Sequence, residues 1–318
     1  MREGRQGIRL RAVSPILVFL LLAVLIVSCP SSHTCEEGTV TPKPGTGVTL
    51  EIAGQQVGAE DSTLKINARS FTERDMEELL KMTGLQYLTI RDSEIADIAA
   101  FATLTDLKML DLSYNQIGDI TALAALTNLE MLFLYDNQIS DISALAGLTN
   151  LKELHLGKNR VADISALAAL TELTLLELGS NQIGDISALA TLTKLTHLDL
   201  GENAIGDISA LASLYNLVWL VLSENQIADI SALAVTAGLY YLYLSGNRIG
   251  EVTALASLVN LASLDLAGNK IDDVSALASL KNLAKLYLGG NALNEEQVDG
   301  LREALPNCEI LLYEKESQ

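Results

Sequence analysis

Cysteine, aromatic and basic residues are all scarce in this chain of 318 residues. The three cysteines, Cys29, Cys35 and Cys308, are too few and too unevenly spaced for a disulfide scaffold or a four-ligand zinc site. Aromatic residues make up 4% of the chain, so leucine, isoleucine and alanine must build the core. Lysine and arginine total 21 against 40 acidic residues, a net charge of -19. This balance argues against a nucleic-acid partner, because affinity for a phosphate backbone comes from clustered basic side chains.

The first 28 residues have the pattern of a secretory signal peptide. Arginines dominate the charge of residues 1–11, and an uninterrupted apolar run follows at residues 16–27. This run is shorter than the roughly 20 residues that a membrane-spanning helix needs. An uncleaved membrane anchor is the alternative interpretation.

The apolar run ends in Leu25-Ile26-Val27-Ser28-Cys29, which resembles the lipobox of bacterial lipoproteins. The resemblance implies that the Cys29 thiol carries diacylglycerol, although Val27 stands where that family usually has a small residue. Residues 29–48 are rich in Ser, Thr, Pro and Gly and lack hydrophobic periodicity, so they predict a flexible tether. We therefore expect an extracytoplasmic protein held at a bacterial membrane or cell surface through the lipid on Cys29.

Residues 85–282 are nine consecutive units of 22 residues. Their shared pattern is L-x-x-L-x-L-x-x-N-x-I-x-D-I-x-A-L-x-x-L-x-x, and a tenth, partial unit starts at Leu283. The alternation in L-x-x-L-x-L predicts a short strand with one buried face.

This pattern resembles the leucine-rich repeat, most closely the 22-residue units of the bacterial internalins, and it is also similar to the phosphatase-regulator type. The resemblance implies an α/β fold: a right-handed solenoid with a parallel sheet on the concave face and short 3₁₀ or helical turns on the convex face. Solenoids need caps at both ends. We assign residues 49–84 to the N-terminal cap and residues 283–318 to the partial repeat and the C-terminal cap.

The caps carry their own local signals. Capping-box patterns predict helices that begin after Thr72 and after Asn294. Short apolar alternations predict strands at residues 50–54, 63–67 and 308–313. We expect Cys308, at the start of the last strand, to be a core residue rather than a reactive thiol.

Two polar columns run through the repeats. An asparagine follows each strand from the second unit on, and we expect its amide to bond backbone groups that the turn leaves unpaired. An acidic residue, Asp in all units but one, precedes each predicted helical turn and can cap its free N–H groups. We interpret both columns as scaffold. The asparagines are Asn115, Asn137, Asn159, Asn181, Asn203, Asn225, Asn247, Asn269 and Asn291.

Function is expected where the pattern leaves the residue type free, at the third, fifth, seventh and eighth positions of each unit. Large apolar side chains form two clusters there, which we interpret as partner-binding residues because exposed aromatic side chains on a rigid sheet resemble interface hot spots. The alternative is that strands simply favour aromatic residues. The first cluster is Met109, Tyr114, Met131, Phe133 and Tyr135. The second cluster is Trp219, Val221, Tyr241 and Tyr243.

Four titratable residues lie between the two clusters: His155, Glu177, His197 and Asp199. Two imidazoles and two carboxylates can bind zinc or another divalent ion. An ordinary solvated face is the interpretation we prefer, so we expect no cofactor. Catalysis is not expected either, because the sequence has no nucleophile elbow, H-E-x-x-H motif or P-loop.

The seventh unit departs from the others. Thr236 replaces a leucine of the pattern, and Gly238 stands where many units have asparagine. This departure either changes the local curvature beside the second cluster or reflects sequence drift.

Together these features predict a membrane-tethered, extracytoplasmic module that binds a protein partner through the concave face. The internalin resemblance implies adhesion, or recognition of a host or neighbouring protein. One alternative is glycan or peptidoglycan binding by aromatic stacking, which coplanar rings would favour. A metal-dependent enzyme that uses the four titratable residues is another. A phosphatase regulator in the cytoplasm is the third, and the signal-peptide pattern opposes it.

Overall fold

The computed structural model describes residues 48–66 and 71–312. The predicted signal peptide, the predicted lipidation site Cys29 and nearly all of the predicted tether lie outside these ranges. Within the described ranges, no helix is long and apolar enough to cross a membrane.

The body of the protein is one parallel sheet of 12 strands, in which each strand pairs with the next along the chain, from β3 to β14. A separate antiparallel pair, β1 and β2, precedes it. The strands are β1 Thr49–Ile52, β2 Gln55–Gly58, β3 Thr63–Ile66, β4 Tyr87–Ile90, β5 Met109–Asp111, β6 Met131–Phe133, β7 Glu153–His155, β8 Leu175–Glu177, β9 His197–Asp199, β10 Trp219–Val221, β11 Tyr241–Tyr243, β12 Ser263–Asp265, β13 Lys285–Tyr287 and β14 Glu309–Leu311.

The register of the sheet follows the sequence repeat. From β4 to β13 each residue pairs with the one 22 positions later, as Tyr87 does with Met109 and Met109 with Met131. The offset is 24 at both ends, where Thr63 pairs with Tyr87 and Lys285 with Glu309. A sheet in strict chain order with a constant offset is a solenoid, so the predicted fold is confirmed.

Each connection between β4 and β13 contains a five-residue 3₁₀ helix. The second residue of these helices is alanine, and from Ala122 to Ala276 it packs, half-buried, against the core. The helices are Ala99–Thr103, Thr121–Ala125, Ser143–Gly147, Ser165–Ala169, Ser187–Thr191, Ser209–Ser213, Ser231–Val235, Thr253–Ser257 and Ser275–Ser279.

One unit illustrates the core. The apolar positions of the unit that begins at Leu129 are all at most 1% exposed. Full burial of one such side chain contributes about 1.5–3 kcal/mol, and the units stack this layer into one continuous core. The buried residues of this unit are Leu129, Leu132, Leu134, Ile139, Ile142, Leu145 and Leu148.

The asparagine column bonds successive turns to each other, as predicted. The Nδ2 group of Asn159 donates to the carbonyl of Leu156 in its own turn at 3.0 Å and to that of Leu134 in the preceding turn at 2.9 Å. Its Oδ1 accepts from the N–H of Ile139 at 3.0 Å. Each asparagine therefore satisfies backbone groups of two turns at once.

The acidic column caps the 3₁₀ helices, which confirms the second scaffold assignment. The Oδ1 atom of Asp141 accepts a hydrogen bond from the N–H of Ser143, the first helical residue, at 2.8 Å. This bond lowers the pKa of the Asp141 carboxyl. Glu251 makes the same contact with Thr253 at the longer distance of 3.2 Å.

The N-terminal end holds one strand more than the sequence predicts. β1 and β2 form a hairpin whose two turn residues, Ala53 and Gly54, have φ angles of 48° and 77°. Two positive φ angles in a two-residue loop are typical of a type I′ turn, which suits the twist of a hairpin. Helix α1, Glu73–Leu79, follows β3, and the capping box between Thr72 and Asp75 is present as predicted.

The C-terminal end follows the sequence prediction closely. Helix α2, Glu295–Ala304, starts with the expected capping box between Asn294 and Gln297. β14 then adds the last strand to the sheet. Cys308 lies half-buried against the core, and burial raises the pKa of its thiol to about 11. The thiol is therefore protonated at neutral pH, in agreement with a packing role.

Candidate binding face of the sheet

The outward side chains of the strands form a continuous surface, which we call the outer face. In β10 the central Leu220 is fully buried, while Trp219 and Val221 on either side of it are partly exposed. The same pattern recurs in the other repeat strands except β5 and β12, where Asp111 and Asp265 are buried, since side chains alternate between the two faces of a sheet. The residues singled out from the third and fifth positions therefore do reach this surface.

The second cluster is assembled by the sheet from two adjacent strands. Trp219 of β10 lies in register with Tyr241 of β11, and Val221 lies in register with Tyr243. The Trp219 ring centroid is 5.1 Å from that of Tyr241 and 5.6 Å from that of Tyr243, with planes tilted by 45° and 44°. These three rings form one contiguous, half-exposed aromatic surface.

The first cluster divides into two parts. Met109 and Met131 are in register on β5 and β6, but Phe133 stacks on the imidazole of His155, with centroids 4.4 Å apart. Tyr114 and Tyr135 meet edge to face in the turns after the strands, at 5.3 Å. Several of these rings are thus already engaged by neighbours within the chain.

A cation of the chain itself completes the Tyr135 site. The Lys158 ammonium lies 5.4 Å from the centroid of the Tyr135 ring. The ring lies directly above Gly157, where an added Cβ atom would come within 2.9 Å of it. A glycine at that position lets the tyrosine lie flat.

The four titratable residues do not form a metal site. His155 Nδ1 lies 2.6 Å from Glu177 Oε2, whereas His197 Nδ1 lies 2.9 Å from Thr196 Oγ1. Asp199 Oδ1 accepts from the N–H of Gly201 at 2.9 Å. In the described ranges no three His, Cys, Asp or Glu side chains are arranged to hold a metal ion. Of the four side chains, His155 and Glu177 bond each other while His197 and Asp199 bond other groups, so the four do not converge as the hypothesis of a metal-dependent enzyme requires.

Burial sets the charge of two of these residues. It raises the pKa of Asp199 to about 6, an effect that the Gly201 N–H opposes and the nearby Glu177 and Glu202 carboxylates reinforce. Burial also lowers the pKa of His197. The middle of the outer face therefore holds a neutral imidazole and a carboxylate that is costly to ionise.

An apolar patch that the sequence analysis did not identify lies next to the N-terminal ends of the strands. Tyr215, Val235, Tyr240 and Val259 are 60%, 55%, 41% and 47% exposed. Tyr240 joins this patch to the second cluster, because its ring centroid is 4.9 Å from that of Tyr241. The signal was available: position 21 is Thr in the first five units and then changes to Tyr215, Ala237 and Val259.

The departures in unit seven lie beside this patch. Thr236 is fully buried, and its hydroxyl donates to the carbonyl of Leu233 at 2.7 Å. Its backbone N–H donates to the same carbonyl at 3.0 Å, the length that Leu214 shows in the preceding unit. The turn is thus the same as its neighbour, and the departure does not change it. Gly238 merely lacks the side-chain amide that Asn216 uses to bond the preceding turn.

A charged groove lies at the same ends of the strands, in units nearer the N-terminus of the chain. Lys152 pairs with Glu130 at 2.5 Å and Lys194 with Glu172 at 2.6 Å. Lys108, Asp106 and Gln86 contribute to its lining. Exposed ion pairs of this kind contribute little to binding or stability.

Comparison with known proteins identifies the repeats. A family described as "Leucine rich repeat" matches residues 83–139 and 237–293, and a family described as "Leucine Rich repeats (2 copies)" matches residues 127–169 and 171–213. An internalin (inlF) of Listeria monocytogenes is 32% identical to the chain, with a TM-score of 0.70, and the match covers 82% of this chain and 84% of that one. The chain belongs to the leucine-rich-repeat family.

Other leucine-rich-repeat structures resemble it as well. A leucine-rich-repeat protein of Leptospira interrogans is 28% identical, with a TM-score of 0.72, over 79% of this chain and 66% of that one. The ectodomain of the Arabidopsis thaliana receptor kinase GASSHO1/SCHENGEN3 is 22% identical, with a TM-score of 0.60, over 74% of this chain and 33% of that one. The latter likeness concerns the fold alone. No curated protein matches the chain.

Proposed function

We propose that this internalin-like protein is a non-enzymatic binding module that recognises a protein through the outer face of its sheet. The second cluster is the observation that carries the proposal. The rings of Tyr241 and Tyr243 both lie within 5.6 Å of the Trp219 ring, on two strands whose backbones are fixed by the solenoid. Rigid aromatic groups lose little conformational entropy on binding and are enriched at interface hot spots. Leucine-rich-repeat solenoids commonly use this surface to bind proteins.

The proposal includes an extracytoplasmic location with a lipid anchor on Cys29. Its support is the basic start, the apolar run and the lipobox-like sequence at residues 25–29. The likeness to internalins adds the expectation of adhesion or of recognition of a host or neighbouring protein. Metabolic labelling with a fatty acid should mark the full-length protein and fail to mark Cys29→Ala. Equal labelling of both would remove the lipid anchor and leave the binding proposal in place.

Glycan binding is the weaker candidate because of the ring geometry. Stacking on a sugar chain is favoured by rings that share a plane, whereas the Trp219 plane is tilted by 45° from Tyr241 and by 44° from Tyr243. Rings tilted in this way do not offer one flat surface to a sugar chain.

A pull-down tests the binding proposal. Residues 30–318 are immobilised beside a variant with Trp219→Ala, Tyr241→Ala and Tyr243→Ala, and both are exposed to bacterial envelope extract, host-cell surface extract and insoluble glycans. Because the exposed rings contribute little to the core, the variant should keep the circular dichroism of the parent and lose its protein partner.

Leu80→Ala is the control, since Leu80 is an exposed apolar residue at the end of helix α1, in the N-terminal cap. It should retain the partner. A partner that the folded triple variant captures as well as the parent does would contradict the proposal. Retention on glycans alone would favour the glycan candidate instead.

A further inference from the structure

We propose that the protein partner places an arginine side chain on the aromatic surface of the second cluster. This inference rests on the binding function proposed above and specifies the chemistry of its partner. It follows from a difference between the two clusters. The chain places cations next to an aromatic ring and a carboxylate at the first cluster, but its outward positions around the second cluster hold no lysine or arginine.

The first cluster receives its cations from the chain itself. The Lys158 ammonium lies 5.4 Å from the Tyr135 ring centroid, within the range of a cation–π interaction. The Arg91 guanidinium bonds the carboxylate of Asp111 at 2.5 Å. On this outer face, cations of the chain thus lie against both an aromatic ring and a carboxylate.

The second cluster has no such cation at its outward positions. The third, fifth, seventh and eighth positions of the four units around it contain no lysine or arginine. Arg248 and Lys270 come after the buried asparagines and outside those positions. The outward residues are His197, Asp199, Gly201, Glu202, Trp219, Val221, Ser223, Glu224, Tyr241, Tyr243, Ser245, Gly246, Ser263, Asp265, Ala267 and Gly268.

Carboxylates occur among the outward residues of the strands and turns that hold the rings. Asp199 of β9 is the register partner of Val221, next to Trp219. Glu224 follows β10, and its carboxylate lies over Gly246, in the space that a Cβ atom at that position would occupy. Aromatic ring faces bordered by acids attract a cation twice, through the ring quadrupole and through Coulomb attraction. Arginine suits both, because its planar guanidinium stacks on rings and bonds carboxylates in a fork.

Among the described residues, the charged groups that act on the Asp199 carboxylate do not compensate its charge. Its hydrogen-bond donor is the Gly201 N–H, and Glu177 and Glu202 are the charged groups that act on it, both repulsively. A guanidinium brought by a partner would reverse that balance. The matching of a net negative protein to a basic partner also speeds association through electrostatic steering.

Trp219 provides a direct readout, because it is the only tryptophan of the chain. The probe is the peptide Gly-Arg-Gly-Arg-Gly, acetylated and amidated at its ends, titrated against the full-length protein. The control peptide carries citrulline, which has the shape of arginine without its charge. We expect a saturable change in Trp219 emission with a Kd on the order of 1 mM for the arginine peptide, as suits a short flexible ligand.

The citrulline peptide should bind at least about 5-fold more weakly, by loss of the cation. Raising the salt concentration should weaken the binding of the arginine peptide and leave the binding of the citrulline peptide unchanged. Equal emission changes with both peptides, or none with either, would overturn the inference.

Carboxylate variants locate the site and separate this inference from the proposed function. Asp199→Asn and Glu224→Gln should each lower the affinity for the arginine peptide by about 3–10-fold, since each removes one attractive charge. Glu172→Gln is the matched control, because Glu172 is already paired with Lys194 at the sheet edge. A partner from the pull-down that depends on Trp219 but is unaffected by either variant would contradict the arginine inference and leave the binding function standing.

Discussion

Among single residues, the buried asparagines have the strictest role in this protein. Each one bonds carbonyls of two successive turns and accepts a backbone N–H, as Asn159 does for Leu134, Leu156 and Ile139. Removing such a side chain leaves several backbone groups buried without partners, and each unsatisfied group costs about 1–3 kcal/mol.

We expect Asn159→Ala to lower the free energy of unfolding by about 3 kcal/mol, for this reason. The measurement is the urea midpoint followed by circular dichroism. Asn150→Ala is the matched control: Asn150 is exposed and donates a single bond to the carbonyl of Thr127, at 2.9 Å. A comparable loss in both variants would show that the buried bonds are not what stabilises the turn.

Asp199 gives a second prediction, which depends on pH. Its folded-state pKa, raised by burial to about 6, lies above its ordinary value of 3.8, so the folded state binds the proton more tightly than the unfolded state. Ionisation of Asp199 therefore lowers the free energy of unfolding progressively as pH rises from about 4 to about 6. Above about pH 6 this destabilisation has reached its full size.

Asp199→Asn keeps the acceptor for the Gly201 N–H and removes the charge, so it should stabilise the protein by up to about 3 kcal/mol at pH 7 and by little at pH 4. Urea unfolding at both pH values checks this. Asp272→Asn, at an exposed position, is the control and should show no such difference. An equal effect of Asp199→Asn at both pH values would contradict the assignment. A variant that is more stable yet binds arginine more weakly would show stability given up for function.

Among the local elements, the β1–β2 hairpin depends on backbone geometry that few residues adopt. Gly54 has a φ of 77°, and an added Cβ atom there would meet no atom within 4 Å. Substitution at this position therefore tests backbone strain without steric clash.

We expect Gly54→Ala to destabilise the protein by about 1 kcal/mol, the cost of the left-handed region for a residue with a Cβ atom. Gly147→Ala provides the control: Gly147 also has open space around it, but it lies in a 3₁₀ helix without a positive φ. It should be neutral or slightly stabilising, because alanine restricts the unfolded chain. Thermal unfolding of both variants distinguishes the cases, and equal losses would argue against a type I′ turn.

As a whole, the described part of the molecule is a stack in which each turn contacts its neighbours. Stability in such a stack is a sum over units and their interfaces, and the ends need caps to cover the core. Helix α2 covers the C-terminal end with Val298 and Leu301, together with Leu305 directly after it, each 3% exposed.

A chain that stops at Asn291 should therefore lose several kcal/mol, at about 1.5–3 kcal/mol for each buried side chain removed. Hydrogen exchange should show the loss concentrated in the turns next to β13, with the central turns still protected. A chain that stops at Leu312 is the control. Uniform loss of protection along the whole solenoid would contradict the additive description.

Much of this protein follows from the 22-residue period of its sequence. The period assigns the leucines to the core, the asparagines to the turns and the aspartates to the 3₁₀ helices, because each unit presents the same groups to the same neighbours. The capping boxes at Thr72 and Asn294 are equally local, since the residues that form each box are three positions apart. These predictions needed no knowledge of distant contacts.

Other features depend on side chains that meet across turns. The β1–β2 hairpin escaped prediction because Gln55–Gly58 has no apolar alternation. The pairing of His155 with Glu177, and the separate bonds of His197 and Asp199, depend on rotamers that spacing does not specify. The contact between the Tyr240 and Tyr241 rings, which connects the second cluster to the apolar patch, depends on the orientation of the Tyr240 ring. A repeat determines which residues become neighbours, whereas packing and hydrogen bonding determine how their side chains meet, and the candidate site depends on the latter.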